Sequence, residues 1–173
     1  FKNLTFSVFV RFGDLLVTHQ KYLNFAVSLA VFEVLNDLKL PKLAIKWPND
    51  ILSENKKICG VLIENQLNQA KITSSVIGIG LNVNQTTFSN LPNATSIKNS
   101  LNRDVDLDIL LKKMIDKLKE KINLLSTKKY ALLEESYLKS LYKFQKPSMF
   151  KDKNDLLFMA KIVGISLNGK LQL

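Results

Sequence analysis

The sequence predicts an α/β fold in the loose sense: a mixed β-sheet backed by helices, followed by an incomplete small β-barrel. Three observations carry that prediction. Leu4-Thr5-Phe6-Ser7-Val8-Phe9-Val10-Arg11-Phe12 alternates with β-branched and aromatic residues, the pattern of a half-buried strand. Tyr22 to Leu38 is apolar nearly all round, so a helix there has no wide polar face and must be covered on most sides. After Pro147 the texture changes to short apolar runs around Asn168-Gly169, a strong hairpin signal.

The remaining elements follow in chain order. Pro41 closes the apolar helix, and short strands are expected at Leu43–Trp47, Lys57–Asn65 and Ser74–Ile79. The stretches 49–55 and 66–70 are polar enough to be turns. Residues 84–105 are rich in Asn, Ser and Thr and read as a long loop, with one short helix at Ile97–Leu101. Asp106 is a good N-cap for an amphipathic helix whose stripe is Leu107, Leu110, Leu111, Met114, Ile115, Leu118, Ile122 and Leu125. A second helix is expected over Lys128–Leu141. The C-terminal hairpin reaches the chain end after about three residues of its second strand, so a small β-unit begins there and stops short.

Composition excludes several classes. The chain has 173 residues, enough for one domain with a small appendage, and 46% of them are apolar. A single Cys59 rules out a disulfide framework and a Cys-rich zinc site, and fits a reducing cytoplasm. The longest uncharged apolar stretch, Tyr22–Phe32, is far short of a bilayer span, so no membrane association is expected. Phe1 is not an initiator Met, and Arg11 and Asp14 interrupt the first apolar run. No signal peptide is expected, and the chain reads as part of a longer protein. The net charge is +10, but 23 of the 25 basic residues are Lys, interspersed with acidic ones. That pattern is a solvated surface, and no specific nucleic acid partner is expected.

Generic catalytic templates fail. His19 is the only histidine, which removes a His-based triad and a multi-His metal site, and no phosphate-binding glycine loop is present. What stands out is Lys46-Trp47-Pro48-Asn49-Asp50, then Lys57-Ile58-Cys59-Gly60-Val61-Leu62-Ile63-Glu64, then Gly78-Ile79-Gly80-Leu81-Asn82-Val83-Asn84. Lys46 falls at a strand end beside the only Trp, where a Trp-Pro pair ends the ladder and Asn49-Asp50 turns the chain. Gly78 and Gly80 inside an apolar strand suggest close approach of backbone to another body. Asn82 lies beside that surface with an amide able to meet a phosphate. Asp50 and Glu64 read as a turn-capping carboxylate and a strand-end charge, Lys57 as a surface charge at a strand start, and Cys59 as a buried thiol.

Together these segments resemble the catalytic domain of biotin–protein ligases, enzymes that activate biotin with ATP and attach it to a carrier lysine. The K-W-P-N-D box, the K-[IL]-[AC]-G-[VI]-L-[IV]-E strand and the G-[IA]-G-[IL]-N-x-N strand occur in order, and Ala94-Thr95-Ser96-Ile97 is similar to the family's A-T-S-[LI] stretch. Gln145-Lys146-Pro147 looks like the approach to the family's SH3-like C-terminal domain. The resemblance divides the chain into a catalytic domain over 1–143, lacking its N-terminal part, and a partial SH3-like domain over 144–173. It implies a class II synthetase-like sheet. The family's G-R-G-[RK]-x-G loop is absent upstream of Leu4, so little or no biotin–AMP formation is expected from these residues alone.

The resemblance also implies roles. Lys46 would be catalytic, contacting biotin's carboxylate and the α-phosphate. Ile51, Gly60, Gly78 and Gly80 would join it around biotin, and Asn49, Leu81 and Asn82 would join it around ATP and the adenylate. Magnesium is expected with ATP, with no carboxylate cluster to identify its ligands. The implied partner is the biotin carboxyl carrier domain of acetyl-CoA carboxylase or a related carboxylase, with a homodimer as a further possibility. Two other readings stay open here. One is a related lipoate ligase or acyl transferase, against which the K-W-P-N-D box argues. The other is a basic nucleic-acid-binding module without catalysis, which only the charge supports.

Overall fold

Helix packing and strand register divide the molecule into a helical side and an open side. The computed structural model describes residues 2–173. Strand β1 spans Leu4–Leu16, and a single 3-10 turn, Val17–His19, leads into helix α1, Gln20–Asp37. Strands β2 (Ala44–Lys46), β3 (Asp50–Ser53), β4 (Lys56–Asn68) and β5 (Lys71–Leu81) follow. Then come α2 (Ile97–Leu101), α3 (Leu107–Ser126) and α4 (Tyr130–Ser140).

The five strands form one sheet in the order β1-β5-β4-β3-β2. The expectation of a mixed sheet is corrected: every pairing in it is antiparallel. Strands β2 to β5 follow one another through short turns, which require antiparallel neighbours, and β1 pairs with β5. The stretch 49–55, expected as a turn, contains β3, and Ile51, Leu52 and Ser53 are all buried. Only Glu54 and Asn55 turn the chain, both with positive φ (50° and 65°), as a two-residue hairpin loop of the primed type demands.

Strand alternation sends Ile77, Ile79 and Leu81 of β5, Cys59 and Val61 of β4 and Ile51 of β3 to one face. Helix α1 covers that face and is buried on nearly every side, as its sequence requires, with α3 and α4 packed beside it. Asp106 caps α3 by accepting the amides of Asp108 and Ile109, both at 2.9 Å. Its stripe is buried at Leu110, Met114, Leu118 and Leu125.

Beyond Leu141 the chain forms two separate two-stranded sheets. Strands β6 (Ser148–Lys151) and β7 (Leu157–Ala160) pair with each other, as do β8 (Gly164–Ile165) and β9 (Leu171–Gln172). The hairpin at Asn168-Gly169 is present. The four strands do not close into a barrel. Among the described residues no helix is long and apolar enough to cross a membrane.

Candidate active site

The sheet face turned away from the helices carries the motifs. Antiparallel register places Lys46, Asp50, Gly60, Gly80 and Thr5 in one row, a single residue from each of the five strands. Residues opposite one another in such a ladder share a face. The row therefore has a lysine and an aspartate at one end and two adjacent glycines as its floor. A Cβ on Gly80 would meet nothing within 4 Å, so this backbone lies open. The floor opens into a cavity of about 670 Å³, whose opposite wall is the segment Asn90–Ala94 together with Tyr142.

Lys57 enters this cavity through a bulge. Ile51 pairs with Cys59, but Leu52 pairs with Lys57, so Ile58 is an extra residue in β4. Ile58 and Cys59 are consecutive and both buried, and Lys57 is thereby turned onto the same side as Gly60. Its ammonium pairs with Asp50 at 2.5 Å. A Cβ on Gly60 would lie 3.2 Å from Lys57 Nζ, so the glycine leaves room for that ammonium above the sheet. Asp50 thus stands between two lysines: opposite Lys46 on one strand, and ion-paired with Lys57 on the other side. No carboxylate pairs with Lys46 among the described residues, and it lies exposed on the cavity wall.

The cavity wall is tied to the same strand. The Lys57 amide donates to the Asn93 carbonyl (2.7 Å), and the Thr95 amide donates to the Lys57 carbonyl (2.9 Å). Asn82 lines the cavity, but its Nδ2 donates to the Thr95 carbonyl at 3.0 Å, so one of its donors already holds the loop. Asn84 exchanges two hydrogen bonds with the Val105 backbone, both 2.9 Å, closing the long loop at its base.

Of the residues singled out from the sequence, Lys46, Gly60, Gly80 and Asn82 come together in the cavity. Ile51 and Leu81 do not. Both are buried on the helical side, because strand alternation puts them opposite in parity to Asp50 and Gly80. Gly78 lies two residues further along the outer face, against Leu62 and Ser7. Asn49 borders a separate cavity of about 190 Å³, and its Nδ2 is bound to the Val61 carbonyl at 2.8 Å. Cys59 is buried, and burial pushes its thiol up to about 12, so it is inert.

Lys57, Asp50 and the Asn90–Ala94 wall are the parts that sequence reasoning did not place in the site. The signal for Lys57 was the doubled apolar pair Ile58-Cys59, which breaks alternation where a bulge must sit. Among the described residues no three His, Cys, Asp or Glu side chains converge as metal ligands.

Several known proteins are similar to this chain. The model of the Biotin/lipoate A/B protein ligase family matches residues 1–82. The chain is 41% identical over 63 residues to the bifunctional ligase/repressor BirA of Bacillus subtilis, covering 36% of this chain and 19% of that protein. It is 36% identical over 98 residues to the biotin–[acetyl-CoA-carboxylase] ligase of Mycobacterium tuberculosis, covering 55% of this chain and 35% of that protein. The matched stretches thus span about a third or less of these relatives' lengths. The structure superposes on the biotin protein ligase from Aquifex aeolicus in complex with biotin and ATP with a TM-score of 0.77. That match has 24% identity and covers 98% of this chain and 70% of the other, and it shows a shared fold.

Proposed function

We infer that this chain, whose residues 1–82 match the model of the Biotin/lipoate A/B protein ligase family, is the catalytic part of a biotin–protein ligase. It activates biotin with ATP and passes it to a lysine of a carboxylase biotin carrier domain in the cytoplasm. The single observation that carries this reading is the glycine floor bordered by two lysines, Lys57 paired with Asp50 and Lys46 opposite it in the ladder.

The reaction brings anions together. An oxygen of the biotin carboxylate attacks the α-phosphorus of ATP, and the bond to the departing pyrophosphate breaks, leaving biotinyl-5′-AMP. The carrier lysine's amine then attacks the acyl carbon of this mixed anhydride, loses a proton, and AMP departs. In the first step negative charge builds between carboxylate and phosphate, and a fixed ammonium there stabilises the transition state. The sequence pointed to Lys46 for this role. The cavity offers a second cation, Lys57, held by Asp50 directly over Gly60, and its smaller freedom makes it the stronger candidate. Lys46, across Asp50, faces the remaining phosphates.

Gly80 offers bare backbone to a flat ligand, which a Cβ there would obstruct, while Lys57 stands over the neighbouring Gly60. Asn82 retains one amide hydrogen for a phosphate oxygen beside the floor. Gly78 extends the floor along β5, while Ile51 and Leu81 support it from beneath. Magnesium enters with ATP as part of that substrate. Asp50 is engaged by Lys57, and among the described residues no three His, Cys, Asp or Glu side chains converge beside it.

Titration calorimetry with biotin, lipoate, ATP and duplex DNA tests this reading. Binding of biotin and ATP, with neither lipoate nor DNA bound at 0.15 M salt, is the expected result. Lipoate binding in place of biotin, or no small-molecule binding at all, would overturn it.

A further inference from the structure

We propose that the C-terminal turn Ser166–Lys170 is a positioning element for Lys46, acting through a hydrogen bond from Trp47 Nε1 to the Gly169 carbonyl. The bond is 2.9 Å long and joins positions 122 residues apart. The inference rests on the ligase reading, because it gives a role to a contact beside the proposed catalytic lysines.

Lys46 has a placement problem. It ends a three-residue strand at the edge of the sheet, so its backbone has a ladder neighbour on one side only. A side chain on such a strand keeps a fixed position only if the chain on both sides of it is pinned. Each neighbour is in fact tied. The Ile45 carbonyl accepts the Tyr142 amide at 2.8 Å. The Pro48 carbonyl accepts Asn24 Nδ2 from helix α1 at 2.9 Å. Asn49 is bound to the Val61 backbone twice, at 2.8 and 2.9 Å. Trp47, adjacent to Lys46, has its indole N–H fixed by the C-terminal turn.

That turn is built to present an acceptor. Gly169 has φ +75°, the left-handed region that favours glycine, and it is the one glycine with positive φ among the described residues. The Gly169 amide donates to the Ser166 carbonyl (2.9 Å), and the Ser166 amide donates to the Lys170 carbonyl (2.8 Å), which together set the direction of the Gly169 carbonyl. The hairpin is anchored at a second point. Lys21 of α1, almost wholly buried, donates to the Ile165 carbonyl at 3.3 Å and pairs with Glu134 of α4 at 2.8 Å. The C-terminal hairpin is thus tied to the helical body at one end and to the residue after Lys46 at the other. It contributes only Ile165 to the buried core, so its contact with Trp47 is its main link to the site.

Trp47 is the chain's only tryptophan, so its indole N–H gives a single resonance that reports this bond whether or not the protein turns over. In the wild type that proton should exchange slowly. In Gly169→Ala, where φ is strained and the acceptor shifts, it should exchange rapidly. In the full-length protein, Gly169→Ala and Trp47→Phe should each lower kcat for biotinyl-AMP formation about tenfold, the scale of one lost hydrogen bond, with KM for ATP and biotin within about twofold. In a Lys46→Ala background neither change should lower kcat further. A tenfold loss that persists in that background, a change confined to KM, or an indole proton that exchanges fast in the wild type would overturn the proposal. A wild type with a protected indole that binds no biotin would instead overturn the ligase reading and leave the contact standing.

Discussion

Strands β1, β4 and β5 run 11 to 13 residues and turn a largely buried or half-buried face to the helices, whereas β6 to β9 run two to four residues and leave Leu157 and Met159 in solvent. The same chain therefore contains a region stabilised by its own buried area and a region held by a few directed contacts. Hydrophobic burial scales with area removed from water, so the first should carry nearly all of the folding free energy. The second acts by where it puts a carbonyl.

The sharpest way to break that contrast is to remove volume from each region. Ile77 is fully buried at the centre of β5, flanked by β1 and β4, and Ile77→Ala should cost about 4 kcal/mol through lost transfer and a cavity. Leu157→Ala, at a site 68% exposed, should stay within about 0.5 kcal/mol. Urea unfolding measures both, and similar costs would mean that the C-terminal strands pack far more than their exposure indicates.

A second comparison separates the two lysines. Lys57 sits on a long internal strand with a carboxylate partner, and Lys46 on a short edge strand without one. Lys57→Ala in the full-length protein should lower turnover about 10²–10³-fold, the scale of one transition-state contact. Lys46→Ala should cost less, about tenfold. Steady-state kinetics of pyrophosphate release decides the order, and a reversed order would return the main charge to Lys46.

Two smaller effects test the helical cover. Asp106→Ala removes the acceptor for two amides of α3 and should cost about 1 kcal/mol in thermal or urea unfolding. Glu120 accepts from Lys117 and Lys121, and these hydrogen bonds hold its carboxyl below the usual 4.5. A lowered folded-state value adds stability that is present above pH 4.5 and lost as pH falls through the lowered value. The side chain is 49% exposed, so the gain over Glu120→Gln should be about 0.3 kcal/mol at pH 7 and low salt, and should vanish once the carboxyl is protonated in acid or in 1 M salt. A gain that survives both conditions would mean the cluster acts by packing.

Much of this architecture can be read from residue order, for reasons that differ by element. The 3.6-residue stripe from Leu107 to Leu125 and its Asp106 cap define α3 because local capping and one apolar face suffice for that helix. The all-round apolar run of α1 signals burial because nothing else would satisfy it. Strand β3 was hidden because Ile51-Leu52-Ser53 is short and lies inside a polar stretch, and its strand character comes from neighbours on both sides. In the site, Gly60, Gly80, Lys46 and Asn82 share a cavity that the motifs anticipate. Ile51 and Leu81 fall on the other face, which a count by twos from Gly80 and Asp50 would have indicated. Lys57 required the bulge, whose mark in β4 is the apolar pair Ile58-Cys59 and whose register is set by how β3 meets β4.

The extra residue at Ile58 makes the β3–β4 pair sensitive to the length of β3. Inserting one residue between Ile51 and Leu52, opposite Ile58, would restore strict pleat phase and swing the Lys57 side chain toward the helices, while every pairing from Gly60 onward stayed as it is. The scaffold would survive with its ammonium facing the wrong way. A single insertion in β3 is therefore enough to separate two chains of the same fold into one that presents a charge over the glycine floor and one that does not.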